Sequence, residues 1–342
     1  MVFKWDTDKN AKKIARNGKV YYHYRKRKWE GTKDMNYFDC HVDTLTVITK
    51  PGETFGSNSG ALDLRRVKSF ADKYAQIFAI FMDEGELDMA RPEEQFYQAY
   101  KRAAELLENE KELLVWCKNA ADMETAHEQG KAAAFLSVED VAVMGSHVEH
   151  IKELGIRFAL LTWNYDNRYA CGASCDQKKG LKEEGINLVK KFVKEGIVLD
   201  ISHLSDKGAE DIFNLIDAPV MASHSNIRTL CPHPRNLTPE LAKELIRRKG
   251  LIGMNFYGNF IGENADMMSL LRHMDAVLEM GGEDVLALGT DFDGCSILPK
   301  EIEGVQSIPL LYEFMGKNGF DRHLLDKIFF ENAHRFVLEN VK

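Results

Sequence analysis

Apolar segments of strand length alternate with helical segments along most of this chain, and this alternation limits its possible folds more than any other feature. Eight such segments can be recognised: residues 37–47, 75–82, 132–140, 156–163, 196–203, 218–225, 251–258 and 285–293. Helical periodicity marks most of the stretches between them: residues 93–117, 183–195, 207–216, 238–249 and 266–281. Strands that alternate with helices predict an α/β protein with a parallel sheet. Eight strands favour a closed (β/α)8 TIM barrel over an open doubly wound sheet.

Two local patterns agree with this prediction. Thr238 and Pro239 have the residue types favoured at a helix N-cap and at the first helical position. No glycine-rich phosphate loop of the GxGxxG or GxxxxGK type follows the early strand segments. This argues against a dinucleotide-binding or P-loop fold.

The charge is distributed unevenly along the chain. The formal net charge is -8, so a nucleic-acid partner is not expected, because neutralising phosphates requires a basic face. Residues 1–35 are nevertheless basic, and we interpret them as an N-terminal extension to a single barrel domain at 36–342. The extension is either a solvated segment lying on the barrel or an arm that contacts a second subunit, as in a homodimer, or an acidic partner.

The sequence also gives an expectation about location. The N-terminal segment lacks the apolar core of a secretory signal, and no apolar run approaches the roughly 18–20 residues of a membrane span. The six cysteines are scattered rather than arranged as a disulfide framework. We therefore expect a reduced, cytoplasmic protein without membrane contact. Cys171 and Cys175 could form a metal or redox pair, although no second pair supports this.

Residue types that bind metals recur at the ends of the predicted strands. His41 and Asp43 are two positions apart, so they point to the same side of an extended strand. Three further candidates end later strands: Glu139, His203 and His224. Each has an ordinary alternative, since a strand-end histidine is often structural and Glu139 could begin a helix. Because the active sites of such barrels form where the strands end, their joint occurrence indicates a metal site.

A carboxylate also ends the last predicted strand, in Gly289-Thr290-Asp291. Asp291 is therefore placed to accept or donate a proton over the barrel mouth.

Taken in order, the motifs HVDTL, SVED, DISH, ASHS, HPRN and GTDFDG resemble the membrane (renal) dipeptidase family of zinc peptidases, peptidase family M19, among the amidohydrolase-like barrels. The resemblance covers the chain from about residue 37 onward. It implies a metallo-dipeptidase that hydrolyses dipeptides through a hydroxide bridging two Zn²⁺ ions.

The resemblance also implies a role for each site residue. His41 and Asp43 would bind one zinc ion, His203 and His224 the other, and Glu139 would bridge the two. Asp291 would handle the proton. Arg235, in the HPRN motif, would bind the free C-terminal carboxylate of the substrate, which suits the planar guanidinium.

The sequence departs from the family pattern at two positions. Trp163 stands where well-studied members have a histidine near the reacting carbonyl, and we assign it to substrate binding. Phe260 stands where those members have a tyrosine. Among acidic residues near the strand ends, Asp200 and Asp293 are candidates for orienting the histidine rings.

Two other functions remain open. Another amidohydrolase-type enzyme, such as an amidase, deaminase or lactonase, would use the same barrel. Many of these bridge their metals with a modified lysine at the end of strand four, whereas this segment, LTWNYDN, contains none. A non-catalytic binding protein could also keep the fold.

Overall fold

The computed structural model describes residues 11–16, 19–24, 35–48, 50, 52–82 and 90–342, with side chains described from residue 35 onward. Strands β1 (Ala11–Arg16) and β2 (Lys19–Tyr24) form an antiparallel pair. The two roles considered for residues 1–35 depend on side chains outside the described residues, so both stay predictions.

Eight parallel strands close into a barrel, as the sequence predicts. They are β3 (Met35–Val42), β4 (Ala71–Ile80), β6 (Ala132–Val138), β7 (Ile156–Leu160), β8 (Val198–Asp200), β9 (Met221–Ala222), β10 (Leu251–Met254) and β11 (Leu286–Leu288). Each pairs with the next in this order, and β11 pairs with β3 to complete the circle. Every predicted strand segment overlaps one of these strands, although β3 and β4 begin two and four residues before their predicted segments.

A further strand, β5 (Leu114–Trp116), corrects the predicted helix over 93–117. The helix α3 ends at Asn109, and β5 then pairs with the first residues of β6, outside the closed barrel. The branched and aromatic side chains of Val115 and Trp116 suit this strand, and the alanines of β6 allow it to lie close. The helical periodicity of the residues before Leu114 extends the predicted helix across the strand.

Helices cover the outside of the barrel. The α-helices are α1 (Thr44–Val47), α2 (Leu64–Lys68), α3 (Pro92–Asn109), α4 (Ala120–Glu128), α5 (Glu183–Glu195), α6 (Asp206–Leu215), α7 (Pro239–Arg247), α8 (Gly258–Ile261), α9 (Met267–Glu279), α10 (Ile308–Lys317), α11 (Arg322–Asp326) and α12 (Asn332–Asn340). Short 3-10 segments occupy Val141–His150 and Val305–Ser307, and a π-helical turn spans Lys327–Glu331. The predicted cap is confirmed, because the Thr238 side chain accepts a hydrogen bond from Leu241 N. Within the described residues, no helix is both long and apolar enough to cross a membrane.

The core has an inner and an outer part. Inside the barrel, apolar side chains two positions apart on a strand point to the axis, such as Phe38 with Cys40 and Ala75 with Ile77. Phe336 and Val337 of α12 belong to the same cluster. Because the packed interior is continuous with this helix at the amino-terminal ends of the strands, a site for small molecules is left at the opposite, carboxyl-terminal ends.

Candidate active site

Six residues predicted from strand ends converge at the carboxyl-terminal mouth of the barrel. They lie within or just after five different strands: His41, Asp43, Glu139, His203, His224 and Asp291. All are buried, although they are polar or charged. Since burying such groups without partners is costly, their convergence requires a chemical reason.

Glu139 lies at the centre of this group. Its Oε1 atom is 3.1 Å from His41 Nε2 and 3.4 Å from the Nε2 atoms of both His203 and His224. The Nε2 atoms of His203 and His224 are 2.8 Å apart, and the rings of His41 and His224 stack at 3.7 Å between centroids. One carboxylate oxygen therefore faces three imidazole nitrogens.

Asp43 and Asp291 extend the group on the side of His41. Their Oδ1 atoms lie 3.9 Å and 4.0 Å from His41 Nε2, respectively. Ligand atoms of these three residues lie within 4.8 Å of one another, as do those of His41, Glu139 and His224. The geometry thus offers two overlapping sets of metal ligands, and it places Asp291 close enough to be a ligand as well as a proton carrier.

Unpaired buried atoms show that a cation fits this place. His41 Nε2, Asp43 Oδ1 and Glu139 Oε1 are buried and have no hydrogen-bond partner among the described residues. Imidazole nitrogens and carboxylate oxygens form the ligand set of zinc and related divalent ions. The residues present therefore fit a metal ion.

The pKa shifts of the site residues also favour cation binding. Burial opposes charge on His41, but the nearby carboxylates of Glu139, Asp43 and Asp291 outweigh it and raise its pKa to about 10. Burial and the charge of Glu139 raise the pKa of Asp43 well above its ordinary value. Crowded carboxylates that raise each other's proton affinity form a site of negative potential, which attracts cations.

The backbone turns sharply where two of these residues leave their strands. His203 has a φ of 68° and Asp291 a φ of 60°. This left-handed region is uncommon for residues other than glycine, and such conformations often occur at functional sites. The turns direct both side chains over the barrel mouth.

Two glycines make room for the main chain below His224. A Cβ atom at Gly253 or Gly289 would overlap the carbonyl oxygen of Ser223, and each would also approach the other glycine's Cα. Strands β9, β10 and β11 therefore meet backbone to backbone under the histidine.

The side chains that orient the site were not all predicted. Asn164 Oδ1 lies 2.9 Å from His203 Nδ1, and Ser223 Oγ lies 2.7 Å from His224 Nδ1. Asn255 Nδ2 donates to Asp291 Oδ2 at 2.9 Å. Their types gave only a weak signal, namely polar residues at predicted strand ends.

The predicted orienting roles of Asp200 and Asp293 are wrong. Asp200 Oδ1 accepts from the backbone amides of Ser202 and Ser223, which fixes the turns after β8 and β9. Asp293 accepts from Thr44 Oγ1 and from the Ala61 amide. Both carboxylates thus bind main-chain amides or a hydroxyl group near the site.

Arg235 is a buried cation without a carboxylate partner in the described residues. Only 4% of its surface is exposed. Its Nη2 donates to the carbonyl oxygen of His224 at 3.3 Å, and its Nε has no hydrogen-bond partner within the described ranges. Burial lowers its pKa to about 10, which leaves the guanidinium charged at neutral pH. Its carbon Cζ lies 5.5 Å from the ring centre of Phe260, so one face is apolar.

Trp163 lies beside the histidines in an aromatic group. Its ring centre is 6.2 Å from that of His203, 5.4 Å from that of Phe81 and 5.8 Å from that of Tyr165. An apolar wall therefore borders the candidate metal ligands here.

The cysteine pair lies in the loop between β7 and α5. Asp166, Cys171 and Cys175 offer three ligand atoms within 4.8 Å of one another, and both cysteines are free. Burial raises the pKa of Cys171 to about 12, with Asp166 contributing, so its thiol stays protonated at neutral pH. The metal or redox role considered for this pair stays a prediction.

Comparison with known proteins gives the family. The profile described as Membrane dipeptidase (Peptidase family M19) matches residues 27–342. An uncharacterized protein in the pqqA 5' region of Klebsiella pneumoniae is 32% identical over 240 residues, covering 66% of this chain and 88% of that protein. Dipeptidase aclJ of Aspergillus oryzae is 32% identical over 196 residues, covering 55% of this chain and 46% of that protein. The match thus spans about half of the length of aclJ.

A solved structure agrees over a greater length. The crystal structure of a metallo peptidase from Rhodobacter sphaeroides, liganded with a phosphinate mimic of the dipeptide L-Ala-D-Ala, superposes with a TM-score of 0.77 at 26% identity. The superposition covers 91% of this chain and all of that one. With the profile match over nearly the full chain, these findings mean that the chain belongs to the membrane dipeptidase family, peptidase family M19, and is a hydrolase of its metallo-dipeptidase class.

Proposed function

We propose that this protein hydrolyses dipeptides that have a free C-terminal carboxylate, using two zinc ions at the barrel mouth. The proposal rests on two neighbouring groups of buried polar atoms that lack partners of opposite charge in the described residues. The atoms of His41, Asp43 and Glu139 without hydrogen-bond partners are suited to bind cations. The guanidinium of Arg235, which has no carboxylate partner in the described residues, is suited to bind an anion. A dipeptide provides a carbonyl for the first and a carboxylate for the second.

Five residues would hold the metals: His41, Asp43, Glu139, His203 and His224. Glu139 suits the bridging position, because its Oε1 faces histidines from three strands. Nitrogen and oxygen ligands without thiolate favour zinc among the common divalent ions. When bound, a pair of zinc ions would lower the pKa of a water molecule and polarise the scissile carbonyl.

Asp291 would accept the proton of the attacking water at Oδ1 and donate it to the leaving amine. Asn255 holds the other oxygen, Oδ2, which leaves Oδ1 directed to His41 at 4.0 Å. Burial raises the pKa of Asp291 although the neighbouring His41 lowers it. A carboxylate of raised pKa is a better base, which suits proton transfer near neutral pH.

Arg235 would bind the substrate's C-terminal carboxylate. A fork of N–H donors matches a planar carboxylate, and the buried position strengthens the interaction. The fixed distance between this cation and the metal ligands would select short peptides. The dipeptide mimic bound to the Rhodobacter relative supports this substrate class.

Trp163 would contact the substrate as part of the aromatic wall formed with Phe81 and Tyr165. Its indole ring can only donate a hydrogen bond, whereas the histidine of well-studied members can donate or accept one. Stabilisation of the developing oxyanion would therefore depend on the metals rather than on a side chain at this position.

A dipeptide-hydrolysis assay combined with zinc titration tests the proposal. We expect turnover of unblocked dipeptides that is lost with a chelator and recovered with zinc. An enzyme that binds zinc but hydrolyses only non-peptide amides or lactones would overturn the assigned substrate class. Zinc binding without any hydrolysis would favour a binding protein.

A further inference from the structure

A second group of potential metal ligands lies away from the barrel mouth. Glu124 and His127 are three residues apart on α4, a spacing that brings side chains to the same helix face. His334, on α12, faces them, and one ligand atom from each of the three can lie within 4.8 Å of the others. The three residues have no part in the proposed hydrolysis.

The position of this group is fixed by β4. His127 Nε2 lies 3.2 Å from the carbonyl oxygen of Tyr74, which is in the first half of β4, whereas β4 ends at Ile80 beside the site. Six residues of strand amount to roughly 20 Å. The group therefore lies near the amino-terminal end of the barrel.

The hydrogen bond to Tyr74 determines the state of the His127 ring. A backbone carbonyl only accepts, so Nε2 carries the hydrogen and Nδ1 keeps a lone pair. His127 Nδ1 is buried and has no hydrogen-bond partner in the part of the chain that the structure describes. Metal-binding histidines usually donate their other ring N–H to a carbonyl or carboxylate in this way. Burial also lowers the pKa of His127, which keeps the ring neutral.

The side chains of Glu124 and His334 already contact each other. His334 Nε2 lies 2.6 Å from Glu124 Oε1. The His334 ring stacks on Phe330 at 4.9 Å and lies 5.9 Å from the ring of His127. These ring contacts restrict both imidazoles before any metal arrives, which reduces the entropy lost on binding.

We propose that Glu124, His127 and His334 bind a divalent metal ion, preferably zinc, at a site separate from the catalytic centre. Two imidazoles and a carboxylate leave a fourth tetrahedral position for water. Zinc bonds of about 2.0–2.2 Å set ligand atoms roughly 3.4 Å apart, so the pair of Glu124 and His334, now at 2.6 Å, has to open to admit the ion. The side chain of Glu124 is 45% exposed, which leaves room for this movement. The ion would fasten α12 to α4.

One charge opposes the site. Lys73 is exposed and close enough to His127 to lower its pKa. Lys73→Gln is therefore a variant expected to tighten zinc binding, while loss of a ligand weakens it.

The experiment uses the full chain with its catalytic metals in place. Zinc alone is titrated into the parent, His334→Gln and Glu124→Gln. Glu128→Gln is the matched control, because Glu128 is an exposed glutamate of the same helix, next to His127 and one helical turn after Glu124. We expect the parent and Glu128→Gln to bind one zinc more than the two ligand variants. Turnover should be equal in all four, since none of the residues lies near the barrel mouth.

A second measurement separates binding from a packing effect. Added zinc should raise the thermal midpoint of the parent and of Lys73→Gln, but not that of Glu124→Gln. Glu124→Gln keeps the size of an exposed side chain, so it is expected to fold normally. Equal zinc counts in the parent and both ligand variants would overturn the proposal, as would equal thermal shifts.

Discussion

The Nε2 atoms of His203 and His224 lie 2.8 Å apart, and each is 3.4 Å from Glu139 Oε1. Asn164 Oδ1 faces His203 Nδ1. Because an amide oxygen only accepts, the hydrogen of His203 resides on Nδ1 and Nε2 presents a lone pair. The lone pair of His203 Nε2 and the carboxylate oxygen of Glu139 repel each other unless a cation lies between them.

Removal of the metals should abolish hydrolysis, and about two zinc ions per chain should restore it. The measurement is elemental analysis alongside activity during zinc titration. The His334→Gln variant is the appropriate protein, because it excludes an ion at the second proposed site. Full activity in a chain that holds no metal would contradict the prediction, whereas activation by cobalt or manganese would change only the identity of the ion.

Asp291→Asn should slow turnover by about 10² or more, the scale of losing a general acid–base group. Both metals should remain, since the amide keeps the size of the side chain and can still contact Asn255. Metal content and kcat are measured on the same preparation. Loss of an ion would mean that Asp291 acts as a ligand, consistent with its 4.0 Å separation from His41 Nε2, and would contradict its role as proton carrier.

Arg235→Leu should weaken the reaction with ordinary dipeptides by about 2–5 kcal/mol, as expected for truncating one member of a desolvated charge pair. C-terminally amidated dipeptides lack the negative charge and should be affected far less. The comparison requires kcat/KM for both substrates with the parent and the variant. Equal losses for the two would indicate that Arg235 only supports its loop.

Asp275 should make stability depend on pH. Burial raises its pKa from 3.8 to about 6, and the charge of Glu279 adds to the rise. The folded state therefore holds this proton more tightly than the unfolded state, so stability is lost as the pH rises from about 4 through about 6. Asp275→Asn should increase the free energy of unfolding above about pH 6, with no gain below about pH 4.

Urea unfolding of the parent and Asp275→Asn on both sides of this range provides the measurement. Glu279→Gln is the matched comparison, and it should give a smaller gain of the same sign because it removes only the lesser cause. A gain from Asp275→Asn that is the same at both pH values would exclude titration as its origin.

The barrel could be predicted because its strand segments are apolar and separated by amphipathic helices. The convergence of the candidate ligand residues could be predicted because strand ends of a closed barrel meet at one mouth, so His41 and His224 are neighbours although 182 residues lie between their positions. The location in the cytoplasm and a homodimer stay predictions.

Other features depended on tertiary structure. The pairing of Asn164 with His203 arises from a loop whose path sequence patterns do not determine. The left-handed turn at His203 has no sequence signal, since histidine adopts it only when its surroundings require it. The strand at Leu114–Trp116 was missed because three residues are too few for a period to be read.

The backbone contact of Gly253 and Gly289 with Ser223 affects how this protein can change over evolutionary time. Any side chain at either glycine would press on the segment that carries His224. We therefore expect almost any substitution at Gly253 or Gly289, which form the floor of the site, to displace His224. The aromatic side chains of Trp163 and Tyr165 lie beside the site, and that of Tyr165 is exposed. New substrate preferences would therefore arise by exchange of loop residues, while the metal-binding floor is inherited unchanged.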